Sequence, residues 1–131
     1  MNAAITKEFS FHAAHQLPNH DGPCRNLHGH TYKVEVKVYG RITDSPGSPK
    51  EGMVLDFTEL KKTYKEFIEP LVEHQNLNET LKDEVPVTTA EHIAAWMFRM
   101  FHERHPQVHM VRVWETPTSS AEIRNGDLLK P

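Results

Sequence analysis

The chain has 131 residues, 37% of them hydrophobic and 25% charged, which is room for one hydrophobic core and not for two. Its formal charge of −3 lacks the basic excess of a bulk nucleic-acid binder. A single cysteine excludes an internal disulfide. No stretch approaches the ~20 apolar residues that a bilayer span needs. The opening residues Met1-Asn2-Ala3-Ala4-Ile5-Thr6-Lys7-Glu8 hold no apolar run resembling a signal peptide. A single domain over residues 1–131, cytoplasmic and without nucleic-acid or membrane partners, is therefore expected.

Ile5, Phe9 and Phe11 predict a first strand ending near His12, and Pro18, Gly22 and Pro23 make residues 16–26 a loop. From about His28 to Ile42 apolar Tyr32, Val34, Val36 and Val38 alternate with polar Thr31, Lys33, Glu35 and Lys37, the period of a half-buried strand. Asp44 to Gly52 reads as a flexible loop and Met53-Val54-Leu55 as a short returning strand. Asp56 with Glu59 resembles a capping box, and Leu60, Tyr64, Phe67, Ile68 and Leu71 trace one helical face. Thr88 and Glu91 repeat the box before Ile93, Trp96, Met97, Met100 and Phe101, and Pro106 ends that helix. Met110 to Glu115 alternates as a third main strand, and Ala121 to Arg124 forms a fourth. The order ββααββ predicts an α+β fold: an antiparallel sheet with helices on one face. Its free edges would be covered by edge-to-edge assembly into a ring.

Residues two apart on a strand share a face, so His28 and His30 point with Tyr32 and the valines toward the core. His15, just beyond the first strand, could meet them from the hairpin neighbour. Three neutral imidazoles suit zinc and leave a fourth position open; the plainer account is three satisfied histidines. His12 and His20 are set aside as neighbours without a role, and His102, His105 and His109 read as surface residues. Cys24 lies in a loop beside Arg25 and the candidate metal, both of which favour a thiolate able to act as general base or nucleophile. It could equally be a fourth zinc ligand or have no role.

Glu73 beside His74 can orient an imidazole for acid–base work. Taken alone, the pair is more simply explained by the helix dipole acting on His74, with Asn78 capping the helix end. Glu115 shares the parity of Val111 and Val113 and should project inward, where a carboxylate needs a partner. The edge of a guanidine-like heterocycle would supply one, as would a salt bridge to Arg or Lys.

Taken together, Phe11-His12-Ala13-Ala14-His15, Cys24-x3-His28-Gly29-His30, Gly52-Met53-Val54-Leu55-Asp56-Phe57, His74-x2-Leu77-Asn78, Thr89-Ala90-Glu91 and Val113-Trp114-Glu115-Thr116 resemble the 6-pyruvoyl-tetrahydropterin synthase and 6-carboxytetrahydropterin synthase family. They fall in the family's order from residue 5 to about residue 123. The resemblance implies a tunnelling fold (T-fold), a four-stranded antiparallel sheet with two helices, assembled as homo-oligomeric trimers or hexamers. It implies Zn²⁺ on His15, His28 and His30, with Cys24 as catalytic thiolate and His74 as its acid–base partner, drawn if need be from a neighbouring subunit. Glu115 would anchor the pterin ring, and Thr89 would help line that pocket. The family usually carries Asp before the histidine matching His74; Glu73 here is one methylene longer. The short Cys24-x3-His28 spacing resembles the carboxy-forming branch, an early step toward queuosine. That branch implies 7,8-dihydroneopterin triphosphate as substrate and a zinc-dependent carbon–carbon lyase reaction.

Overall fold

Two long antiparallel strands, β1 (Asn2–His15) and β2 (His28–Arg41), organise the computed structural model, which describes residues 1–128. Alternation decides their faces: Phe11, Tyr32, Val34, Val36 and Val38 are fully buried, while Thr31 and Ser10 stay outside. Phe11 and Tyr32 are paired across the strands and stack with ring centroids 4.7 Å apart. β1 runs three residues past its expected end at His12, because Ala13, Ala14 and His15 still find partners in His30, Gly29 and His28. His15 is therefore the last residue of the strand rather than the first of the loop.

β4 (Val108–Thr116) and β5 (Ser119–Arg124) extend the sheet antiparallel, and β3 (Gln75–Asn76) adds a short parallel strand on the other edge of β1, giving the order β3-β1-β2-β4-β5. The sheet thus has five strands and is mixed, where four antiparallel strands were expected. Two residues following a helix carry no periodic pattern, so only the tertiary pairing makes β3 a strand. Met53-Val54-Leu55 forms no strand; Gly52 and Met53 instead close the preceding loop through backbone hydrogen bonds with Thr43.

The helices cover the inner face. Asp56 caps α1 (Phe57–Thr63) by accepting from the Thr58 amide at 2.9 Å. A single wide turn (Tyr64–Ile68) leads from α1 into α2 (Glu69–Val72), just ahead of Pro70, which cannot sit in a regular helix interior. Leu60, Tyr64 and Ile68 are buried as their spacing predicts, and half-buried Phe67 lies under the Arg104 guanidinium at 3.5 Å. After the single turn α3 (Leu77–Thr80) comes α4 (Ala90–Arg104), which packs on β4 and β5 through Ile93, Trp96, Met97 and Phe101. Its N-cap is Thr89, accepting from the His92 amide, and not Thr88, whose hydroxyl and carbonyl are engaged elsewhere. No described helix is long and apolar enough to cross a membrane.

His105 corrects a sequence expectation, since it is buried beneath the end of α4 and not on the surface. Its Nε2 lies 2.8 Å from Thr63 Oγ1, a partner 42 positions away. Burial is the main cause that lowers its pKa below the ordinary 6.5, against smaller upward pulls from Glu59. The folded state therefore binds fewer protons than the unfolded chain once the pH falls through 6.5. Stability conferred at neutral pH should decline as the pH drops from that value toward the lower folded pKa. In urea melts at a series of pH values, His105→Gln should flatten this decline; an unchanged slope would contradict it.

Candidate metal centre and active site

The register of β1 on β2 sets His15 opposite His28 and Ala13 opposite His30, so three imidazoles meet on the core face at the strand ends. Ring centroids lie 4.6 Å (His15–His28), 4.8 Å (His28–His30) and 5.2 Å (His15–His30) apart. His15 Nδ1 bonds the Thr88 carbonyl at 2.8 Å and His28 Nδ1 the Asn26 carbonyl at 2.7 Å. A carbonyl oxygen only accepts, so both Nδ1 atoms carry the hydrogen and both Nε2 lone pairs face inward. The Nε2 atoms of His15, His28 and His30 are all buried and none has a hydrogen-bond partner. Unmet polar atoms in such a place are costly, and a cation would satisfy all three together.

Glu115 completes the group from β4. Its Oε1 is 3.1 Å from His30 Nε2 and 3.8 Å from His15 Nε2, and the four ligand atoms lie within 4.8 Å of one another. Burial holds the His15 pKa down, against upward pulls from the Thr88 carbonyl and Glu115, which favours the neutral form that ligates metal. This His/Glu group is compatible with zinc. Cys24 does not belong to it, so within the chain a closed Cys/His set finds no support.

A cleft of roughly 690 Å³ opens beside the group, with His30, Tyr32, Lys33, Trp114 and Glu115 on its walls. Trp114 donates its indole N–H to Glu35 at 2.6 Å and lies under the Lys33 ammonium, 5.0 Å from the ring centroid. Tyr32 was expected only as core, yet it borders both the cleft and His30, and its buried hydroxyl lacks a partner. Burial, helped by Glu115, pushes that hydroxyl's pKa up and keeps it protonated. Neither Tyr32 nor Thr88 carries a signal separating it from a packing residue or a cap; only the folded register shows their place.

The second constellation forms where α2 ends. Glu73 is extended and His74 takes a positive φ of 56°, its amide donating to the His12 carbonyl at 2.7 Å. Glu73 Oε1 accepts from the His12 amide at 3.0 Å and lies 3.3 Å from His74 Nε2. That amide is the chief cause holding the Glu73 carboxyl below its usual pKa. The longer side chain therefore still brings a carboxylate to His74. Asn78 does not cap the preceding helix; it exchanges two hydrogen bonds of 2.9 Å with the backbone of Gln16, and Asn76 caps α3.

His74 and His30 border a second, shallower cleft that also includes His12. Cys24, half-buried in a turn at Pro23–Arg25, lines neither cleft, and nor does Thr89. The chain thus unites His15, His28, His30 and Glu115, and separately Glu73 with His74, but holds Cys24 apart.

Residues 4–126 match the family model described as 6-pyruvoyl tetrahydropterin synthase. The chain belongs to this family. A relative from Synechocystis sp. named 6-carboxy-5,6,7,8-tetrahydropterin synthase is 46% identical over 118 residues, 89% of either chain. A protein of the same name from Haemophilus influenzae is 39% identical over 139 aligned positions, covering 92% of this chain and 97% of that one. The solved 6-pyruvoyl tetrahydropterin synthase of Caenorhabditis elegans superposes with a TM-score of 0.80 at 28% identity, covering 96% and 97% of the two chains. The T-fold reading of the α+β architecture stands, with the fifth strand as its amendment.

If the buried histidines bind a cation, zinc at a hundredfold excess over its dissociation constant should stabilise the fold by about 2.7 kcal/mol. Calorimetric melting with and without zinc would read this as a raised midpoint. His28→Ala should remove most of the rise; a rise of the same size in that variant would place the cation elsewhere.

Proposed function

We propose that the chain is a zinc-dependent 6-carboxy-5,6,7,8-tetrahydropterin synthase, a carbon–carbon lyase acting on 7,8-dihydroneopterin triphosphate. The observation that carries this reading is the trio of buried, unpartnered Nε2 atoms beside Glu115 at the wall of a cleft. The names of its relatives and the short Cys24-x3-His28 spacing favour the carboxy-forming branch. The products are 6-carboxytetrahydropterin, acetaldehyde and triphosphate, and the atoms balance with one water consumed. No external oxidant is needed, since the side chain is oxidised at one end as the ring is reduced.

His15, His28 and His30 would hold the zinc, whose contribution when bound is Lewis-acid polarisation of the substrate's side-chain oxygens. Glu115 accepts the paired N–H groups of the pterin's guanidine-like edge and fixes the ring in the cleft. Cys24 removes and returns protons along the side chain as thiolate and thiol, in partnership with His74. Glu73 orients the His74 imidazole through its Nε2 and supports a positive charge there. Thr89 shapes the pocket by capping α4, placing the chain segment that carries Thr88 against His15. That Cys24 lines neither cleft of the single chain supports assembly of the complete set between chains, in a trimeric or hexameric homo-oligomer.

Incubation of zinc-loaded protein with 7,8-dihydroneopterin triphosphate, followed by mass spectrometry, should yield a 6-carboxy pterin with matching acetaldehyde. A 6-pyruvoyl product would move the chain to the other branch, and no turnover would sink the reaction. Cys24→Ala should keep its zinc and lose about 10²- to 10⁴-fold in turnover, the usual worth of a proton-transfer group. Retained turnover would remove Cys24 from the chemistry.

A further inference from the structure

His12 was set aside on sequence grounds, yet it joins Glu73 and His74 in a second group of ligand-type atoms within 4.8 Å of one another. Glu73 Oε1 lies 3.4 Å from His12 Nδ1 and 3.3 Å from His74 Nε2. Donors bound tetrahedrally at about 2.0–2.1 Å stand about 3.3–3.4 Å from each other, so both distances have the length of a zinc polyhedron's edge. The two rings, with centroids 6.1 Å apart, flank the carboxylate.

The backbone holds this arrangement in place: the His12 amide donates to Glu73, and the His74 amide donates back to the His12 carbonyl. Both imidazoles are solvent-exposed, with side chains 61% (His12) and 79% (His74) accessible. A cation can therefore arrive from solution and keep water in its remaining positions.

We propose that His12, Glu73 and His74 form a second divalent-cation site, weaker than the buried one, that takes zinc or the similarly imidazole-seeking nickel and copper ions. Two histidines and one carboxylate suit such ions, whereas a magnesium or calcium site would need more oxygen donors. Occupation draws the His74 Nε2 lone pair onto the cation and withdraws it from proton transfer. This inhibitory consequence rests on the function proposed above; the cation site does not.

The test is a zinc titration of the apoprotein against a chromophoric chelator, with turnover followed over the same range. Wild type should take up two equivalents per chain, the second weaker, and its turnover should fall as the second fills. His12→Ala should keep the first equivalent and its basal turnover. It should weaken the second equivalent by at least the ~10- to 100-fold typical of losing a mere supporting partner, since a direct ligand is lost. Its turnover should also resist excess zinc. Saturation of wild type at one equivalent, or a second equivalent unaffected by His12→Ala, would overturn the site. A second equivalent lost in His12→Ala, with wild-type turnover flat throughout, would confirm the site and overturn the role of His74.

Discussion

The pairing of His15 with His28 across β1 and β2 is the constraint on which the rest of the site depends. It places three imidazoles on one face, and the carbonyls of Thr88 and Asn26 then turn two of them so that their Nε2 atoms look inward. A slip of β2 by one residue would carry His28 and His30 to the outer face, together with Tyr32 and the valines that drive the sheet onto its helices. Core packing and the meeting of the three imidazoles are therefore specified by one register. The strong apolar pairing along the body of the hairpin holds its polar end in place.

Much of this was legible because a period of two is easy to read. The alternation from Thr31 to Val38 gives the face of His28 and His30, and the parity of Val111 and Val113 gives that of Glu115. What could not be read depends on partners distant in the chain. Ala13 and Ala14 have no strong strand preference, so the end of β1 emerges only from its pairing with β2. Gln75 and Asn76 become a strand only by lying beside Ala13 and Ala14. His105 is polar and follows a helix, and nothing near it announces the hydroxyl of Thr63.

The two adjacent threonines before α4 divide work that the sequence pattern assigned to the first. Thr89 caps the helix, while Thr88 offers its carbonyl to His15 and its hydroxyl to Asn78. Asn78 in turn clamps the backbone of Gln16, the residue after His15. A short polar circuit thus ties the end of β1 to α3 and to the start of α4. His12 was set aside for a related reason: Glu73 and His74 are brought to it beside a two-residue strand with no signature of its own.

The two tryptophans sit in contrasting surroundings. Trp96 is 2% exposed within the helix-covered core, whereas Trp114 stands at the wall of the cleft, hydrogen-bonded to Glu35 and flanked by Lys33 and Arg112. An aromatic ring entering the cleft would quench or shift the emission of the second indole and leave the first nearly untouched. The molecule thereby carries its own optical gauge of occupancy, with an internal reference on the helix packed against the same strand.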